Sequence, residues 1–119
     1  MELDLVRVFK ALGNETRLAI FNYVRSPDYD CASDGNENCN VSSTERTVCV
    51  GHIARKFRNI GQAAISQHLK ILYQAGLLDR HKVGSWVYYT ISMYSVRVVG
   101  EFFAASFASV EDSKKKRGL

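Results

Sequence analysis

Proline is nearly missing from this chain: the one residue among 119 is Pro27. Long apolar runs are missing too. Each is broken by Arg, Lys or Gly before it reaches the roughly 20 residues that span a bilayer, so no transmembrane helix is expected. The opening "MELDLVRVFK" alternates charge with apolar residues. It holds no continuous apolar core of a signal peptide, which makes the cytoplasm the expected compartment. Cysteine is sparse and odd in number, with three residues, Cys31, Cys39 and Cys49. An odd count in a reducing compartment argues against a structural disulfide framework. Internal repeats are absent. So are a paired-carboxylate motif, a phosphate-binding loop, a Ser-x-Lys pair and a Cys-His pair with an orienting acid. A Cys49–His52 dyad does not replace them, because helical i, i+3 geometry rarely exposes a nucleophile and orients its base together. An enzyme is therefore not expected.

What is present is an uneven charge. The formal net charge is +4. Residues 27–45 carry five acidic side chains and no base, whereas residues 46–82 carry seven basic side chains and one acid, Asp79. Four more bases, Lys114 to Arg117, close the chain. Positive charge gathered into one central segment is the footprint of an anion-binding face, with nucleic acid its first candidate. A solvated face followed by a basic tail has the same composition.

Apolar spacing divides the chain. In "LDLVRVFKAL", Leu5, Val6, Phe9 and Leu12 recur at helical intervals. Gly13 ends that helix, and Asn14 is a good N-cap for "ETRLAIFNYVRS", which carries Leu18, Phe21 and Val24 on one stripe. Pro27 stops it. A polar, acidic loop of about twenty residues follows, long for a compact domain. Helical spacing resumes in "VCVGHIARKF" through Val50, Ile53, Ala54 and Phe57. "RNIG" breaks it, and "QAAISQHLKILYQAG" forms a second amphipathic helix with Ile65, Leu69 and Leu72 inward and Gly76 as its stop. The period then changes to two. "LLDRHK" and "WVYYTIS", joined by "VGS", read as a β-hairpin. A last helix carries Val99, Phe102, Phe103 and Phe107 on one side, and the chain from about Glu111 reads as an unstructured tail.

A short helix, a tight turn, a helix with a polar outer face and a basic hairpin make a winged helix-turn-helix. The fold class is mainly α with a two-stranded wing, in the order α-α-α-α-β-β-α. It occupies residues 1–110, with 27–46 as an inserted cysteine-containing loop and 111–119 as the tail. In such a unit the second helix enters the major groove. Its outward positions are Gln62, Ala63, Ser66, Gln67 and Lys70. Gln pairs with adenine through two hydrogen bonds, Ser meets several bases, and Ala offers only methyl contact. Arg58, Arg80, His81 and Lys82 flank that helix and suit phosphates or the minor groove.

"VFKALGNETRLAIFNYV", "ISQHLKILYQAGLL" and "GSWVYYTIS" together resemble the ArsR/SmtB family of dimeric winged helix-turn-helix repressors. The likeness runs from about Val6 to Ser92, interrupted by the loop. Its most specific parts are Ala11 to Leu18 and the Ser-x-His-Leu-x-x-Leu-x-x-Ala-Gly-Leu run from Ser66 to Leu77. The resemblance implies a homodimer held by the first and last helices, and double-stranded operator DNA read by the helix of Gln62 to Ala75. His68 belongs to the signature and takes a supporting role. The chain departs from the family where small hydroxyl residues usually open the reading helix: it has Gly61, Ala63 and Ala64. The turn "RNIGQ" is one residue longer than usual.

Family members often lose DNA affinity when they bind a metal or metalloid or when cysteines oxidise. The last helix here has no His or Cys, so one family site is missing. A second family pattern is Cys-Val-Cys-Asp-Leu. In the matching run "CVGHI", Cys49 fits the first cysteine, Gly51 replaces the second and His52 the acid. Cys49, Cys31 and Cys39 together suit a soft ion: As(III) or Sb(III) on three thiolates, or Cd, Pb or Zn with a fourth ligand. His52, i, i+3 from Cys49 on one helix face, is the candidate fourth. Two other readings stay open: a reversible Cys31–Cys39 disulfide acting as a redox switch, and three cysteines with no sensory part. A module of another class, docking a protein through the acidic loop and the aromatic last helix, is the alternative to DNA binding.

Overall fold

The computed structural model of the chain describes residues 3–26 and 48–116. The inserted segment at 27–46, with Cys31 and Cys39, lies outside the described residues. The elements are α1 (Leu5–Leu12), α2 (Glu15–Arg25), β1 (Val48–Cys49), α3 (Val50–Lys56), α4 (Gln62–Gln74), β2 (Leu78–Val83), β3 (Trp86–Ile91) and α5 (Met93–Lys116). This is the expected winged helix-turn-helix with one strand added. β1 pairs antiparallel with β3, placing Val48 opposite Tyr89 and Cys49 opposite Tyr88, so the wing is a three-stranded sheet in the order β1-β3-β2.

Local chemistry explains each boundary. Asp4 caps α1, its Oδ1 accepting from the amides of Val6 and Arg7 at 3.1 and 3.3 Å. Asn14 caps α2 by accepting from the Arg17 amide at 3.0 Å. α4 closes through a Schellman arrangement. The Leu77 amide donates to the Leu72 carbonyl at 3.1 Å and the Gly76 amide to the Tyr73 carbonyl at 3.0 Å, with Gly76 at φ +86°. That left-handed turn is why a glycine stands at 76. The wing turns at Gly84, φ +62°, where the Val83–Trp86 pair leaves a two-residue loop.

The core gathers Val8, Ile20, Val24, Val48, Ile53, Ile65, Leu69, Leu72, Leu77 and Leu78. Ile65, Leu69 and Leu72 are the three expected inward residues of α4, and all are fully buried. Each such side chain contributes about 1.5–3 kcal/mol, which pins this helix to α2 and α3. The stripe expected on α1 divides instead. Val8 and Ala11 are buried in the core, Leu5 and Leu12 are half-buried, and Val6 and Phe9 are exposed. On α2, Leu18 is likewise exposed while Ile20, Tyr23 and Val24 are buried. The backbone of α5 is helical to Lys116, past Glu111 where a tail was expected to start. Among the described residues, no helix is long and apolar enough to cross a membrane.

Candidate nucleic-acid interface

α4 is held by its apolar edge and presents the other. Gln62, Ala63, Ala64, Ser66, Gln67 and Lys70 are all exposed. The N-cap is Gly61, and no side chain caps the first amides of α4. A Cβ placed on Gly61 would meet nothing within 4 Å. The three small residues therefore leave the positive end of the helix bare to an approaching phosphate backbone. Arg58, in the turn between α3 and α4, is exposed beside this end.

His68 faces the other way. Its Nδ1 lies 3.5 Å from an Arg17 guanidinium nitrogen. Arginine only donates, so a hydrogen bond here requires Nδ1 to accept, with the proton on Nε2. Burial, reinforced by the Arg17 charge, lowers the imidazole below its ordinary value, so His68 is neutral near pH 7. Arg17 Nε also donates to the Ala11 carbonyl at 2.7 Å. The residue thus joins the end of α1, the start of α2 and the middle of α4. The two sequence runs that carry the family likeness meet at this contact.

Strand alternation sorts the basic residues of the wing. β2 and β3 pair Arg80 with Tyr89, His81 with Tyr88 and Lys82 with Val87. Arg80 and Lys82 therefore share one face and His81 lies on the other. The Arg80 side chain is hydrogen-bonded to the Tyr89 side chain, whose hydroxyl burial pushes above its ordinary range. Arg80 joins Ser66, Lys70, Tyr73, Gln74 and Tyr89 around a cleft of about 450 Å³ between α4 and the wing. His81 lines a separate cleft with Arg25, Asp79 and Met93. Arg17, Tyr73, Gln74 and Tyr89 carried no sequence signal of a site. All four lie inside the runs that carry the family likeness, but only Arg17 is a defining position of its run.

The cysteine arrangement differs from expectation. Cys49 is in β1 and is the N-cap of α3, so it precedes the helix that carries His52 and is not within it. It is 2% exposed and packs with Tyr88 against Trp86. His52 is 1% exposed and has a partner of its own. Among the described residues no group of three or more His, Cys, Asp or Glu could hold an ion.

A family model described as "Bacterial regulatory protein, arsR family" matches residues 44–80. An HTH-type transcriptional regulator of Bacillus subtilis, YbzH, is 32% identical over 100 residues, covering 84% of this chain and 95% of that protein. The chain belongs to the ArsR family. It is a winged-helix, DNA-binding transcriptional regulator of the repressor type. The ArsR regulator is also similar to the transcriptional repressor SdpR of Bacillus subtilis, 31% identical over 85 residues, or 71% of this chain and 72% of SdpR. ArsR2 of Halobacterium salinarum, a protein named for an arsenical resistance operon, is 37% identical over 75% of this chain and 59% of its own length. Among solved structures, HlyU from Vibrio cholerae superposes with a TM-score of 0.57 at 25% identity, covering 87% of this chain and 91% of that one. The family regulates transcription and does not catalyse, in agreement with the missing catalytic motifs.

Proposed function

We propose that this regulator represses transcription as a homodimer on an operator of two-fold symmetry, and that a thiol-binding ion releases it. The observation that carries the DNA half is the polar edge of α4 standing beside the Arg80–Lys82 face of the wing, with no acid among the described residues that line the cleft between them. Ser66, Gln67 and Lys70 read bases, with Gln62 and Ala63 at the groove entry. Arg58, Arg80 and Lys82 hold phosphates, and His68 fixes the helix from behind. The test is affinity for the protein's own promoter region measured against salt. A binder that neutralises phosphates loses affinity as a power of salt concentration. Gln67→Ala should cost about 1–3 kcal/mol on the best site and relax one base position, whereas Arg80→Met should weaken all sequences alike. No binding even at low salt would overturn the reading in favour of a protein-docking module.

An exposed aromatic face supports the homodimer. Phe9 of α1 lies 6.0 Å from both Phe102 and Phe103 of α5, and Phe107 continues the row, 68% exposed. A second copy would bury it by two-fold symmetry.

For release, Cys49 supplies one thiolate and Cys31 and Cys39 the others. The described residues alone do not make an ion site, so the inserted segment must complete it. Likeness to a protein named for an arsenical resistance operon favours As(III) among the soft ions. Adding arsenite, cadmium or peroxide to the DNA complex separates ion release from thiol oxidation. Release unchanged in Cys49→Ala for all three would remove Cys49 from the mechanism.

A further inference from the structure

The cleft between α4 and the wing has more in it than DNA phosphates need. Its lining includes the cations Lys70 and Arg80 and, among the described residues, no acid. The same cleft is lined by Val50 and Val87, both half-buried, by Tyr89, which is 7% exposed, and by Tyr73, which is 45% exposed. A phosphodiester uses only the cations. Two valines and two tyrosines beside the cations suit a ring, and a volume of about 450 Å³ falls in the range of small-ligand sites. The Tyr89 hydroxyl accepts from Arg80, which holds the guanidinium before any ligand arrives.

We propose that this cleft binds a small aromatic acid, its ring against Tyr73 and Tyr89 and its oxyanion between Lys70 and Arg80, and that such a ligand and DNA exclude one another. The exclusion rests on the reading of α4 as the DNA-reading helix; the site itself does not. Ser66 and Lys70 line the cleft and stand on the DNA-facing edge, so an occupant takes the groups that the duplex needs. This effector site is separate from the cysteines, and it acts by direct competition instead of through a second dimer geometry.

The test uses the full-length protein without DNA, titrated with phenyl phosphate and with 4-hydroxybenzoate and followed by amide NMR shifts. Saturable shifts are expected on α4 and on β2 and β3, with dissociation constants on the order of 0.1–1 mM for ligands of this size. Inorganic phosphate and benzyl alcohol, which each carry half of the chemistry, should bind at least tenfold more weakly. Tyr73→Ala removes the ring contact and Gln74→Trp fills the cleft; each should weaken binding about fivefold or more. In a second arm, at constant ionic strength, either acid should displace a labelled duplex from the wild type and much less from Tyr73→Ala. No saturable shift with either acid, or shifts that both variants leave unchanged, would overturn the site. Inorganic phosphate binding as tightly as phenyl phosphate would also overturn it and leave the cleft a seat for backbone phosphate. Acid binding by a protein that holds no DNA at any salt would uphold the site and remove the exclusion.

Discussion

Replacing Arg17 by Met tests whether this residue ties the end of α1 to α2 and sets the titration of His68 on α4. The substitution keeps most of the side-chain volume and removes three donors. One of these is strong: the 2.7 Å bond from Nε to the Ala11 carbonyl, at the end of α1, where carbonyls lack helical partners. The contacts to the Lys10 carbonyl and to His68 Nδ1 are both 3.5 Å and count for little. A hydrogen bond to a charged donor contributes about 1.5–3 kcal/mol. Arg17 is half-buried, so water replaces part of this, and about 1–2 kcal/mol should be lost at pH 7.5. The loss should shrink with acid. His68 in the folded protein titrates below the ordinary imidazole value, first because it is buried and second because Arg17 is near. Below about pH 6.5 the unfolded chain therefore binds more protons than the folded one, and stability is lost as the pH drops through that window. Without Arg17 the folded His68 protonates more readily, so the variant loses less. Denaturant unfolding at fixed protein concentration, at pH 7.5 and pH 5.5, gives both numbers, and NMR titration gives the His68 pKa directly. That pKa should rise in Arg17→Met yet stay below the ordinary value, since burial remains. An unchanged or lower pKa, or a cost as large at pH 5.5 as at pH 7.5, would refute these roles.

Other consequences are as accessible. Gly76→Ala meets a left-handed φ and also brings its Cβ to 2.9 Å from Leu3 Cδ1, whereas at Gly84 the same change meets the φ alone. Thermal unfolding should show a loss of about 1–2 kcal/mol at both sites, slightly larger at 76, with Asn costing less than Ala at each. Phe103→Glu places a charge in the exposed aromatic row and should raise the dimer dissociation constant at least tenfold by sedimentation, with DNA affinity falling in step. Removing Lys82 should lower the slope of log affinity against log salt by about 1 without altering sequence preference.

The reading helix was legible because one periodic signal had one cause. Ile65, Leu69 and Leu72 face a single core, and Gly76 sits where a left-handed residue must end the helix. α1 was misread because its apolar residues answer to two surfaces. Val8 and Ala11 pack into the protomer, while Phe9 lies beside Phe102 and Phe103 on its outside. Periodicity counts apolar positions and cannot say which partner each one meets. β1 was illegible for another reason. Two residues carry no alternation, and the run "VCV" merges with the helix after it. What makes Val48 and Cys49 a strand is pairing with Tyr89 and Tyr88, some forty residues away in sequence. The Arg17–His68 contact is equally distant, although both residues stood inside the family runs.

The position of Cys49 in a strand changes what sensing there must do. On a helix face the thiol would be open to an ion. In β1 it is 2% exposed, opposite Tyr88 and packed near Trp86, the chain's one tryptophan. An ion that recruits Cys49 has to draw it from this cluster, and β1 is paired directly to β3. On the same strand Tyr89 is hydrogen-bonded to Arg80, which lines the cleft between α4 and the wing. Release would then reach the wing through one strand, with no relay across the core. Trp86 reports on the first step. Arsenite or cadmium should change its emission in the wild type, in proportion to DNA release. In Cys49→Ala, which leaves the cluster apolar and costs about 1 kcal/mol of stability, both changes should vanish together. DNA release by either ion with unaltered Trp86 emission would show that the signal bypasses β1, and the thiol buried there would be structural.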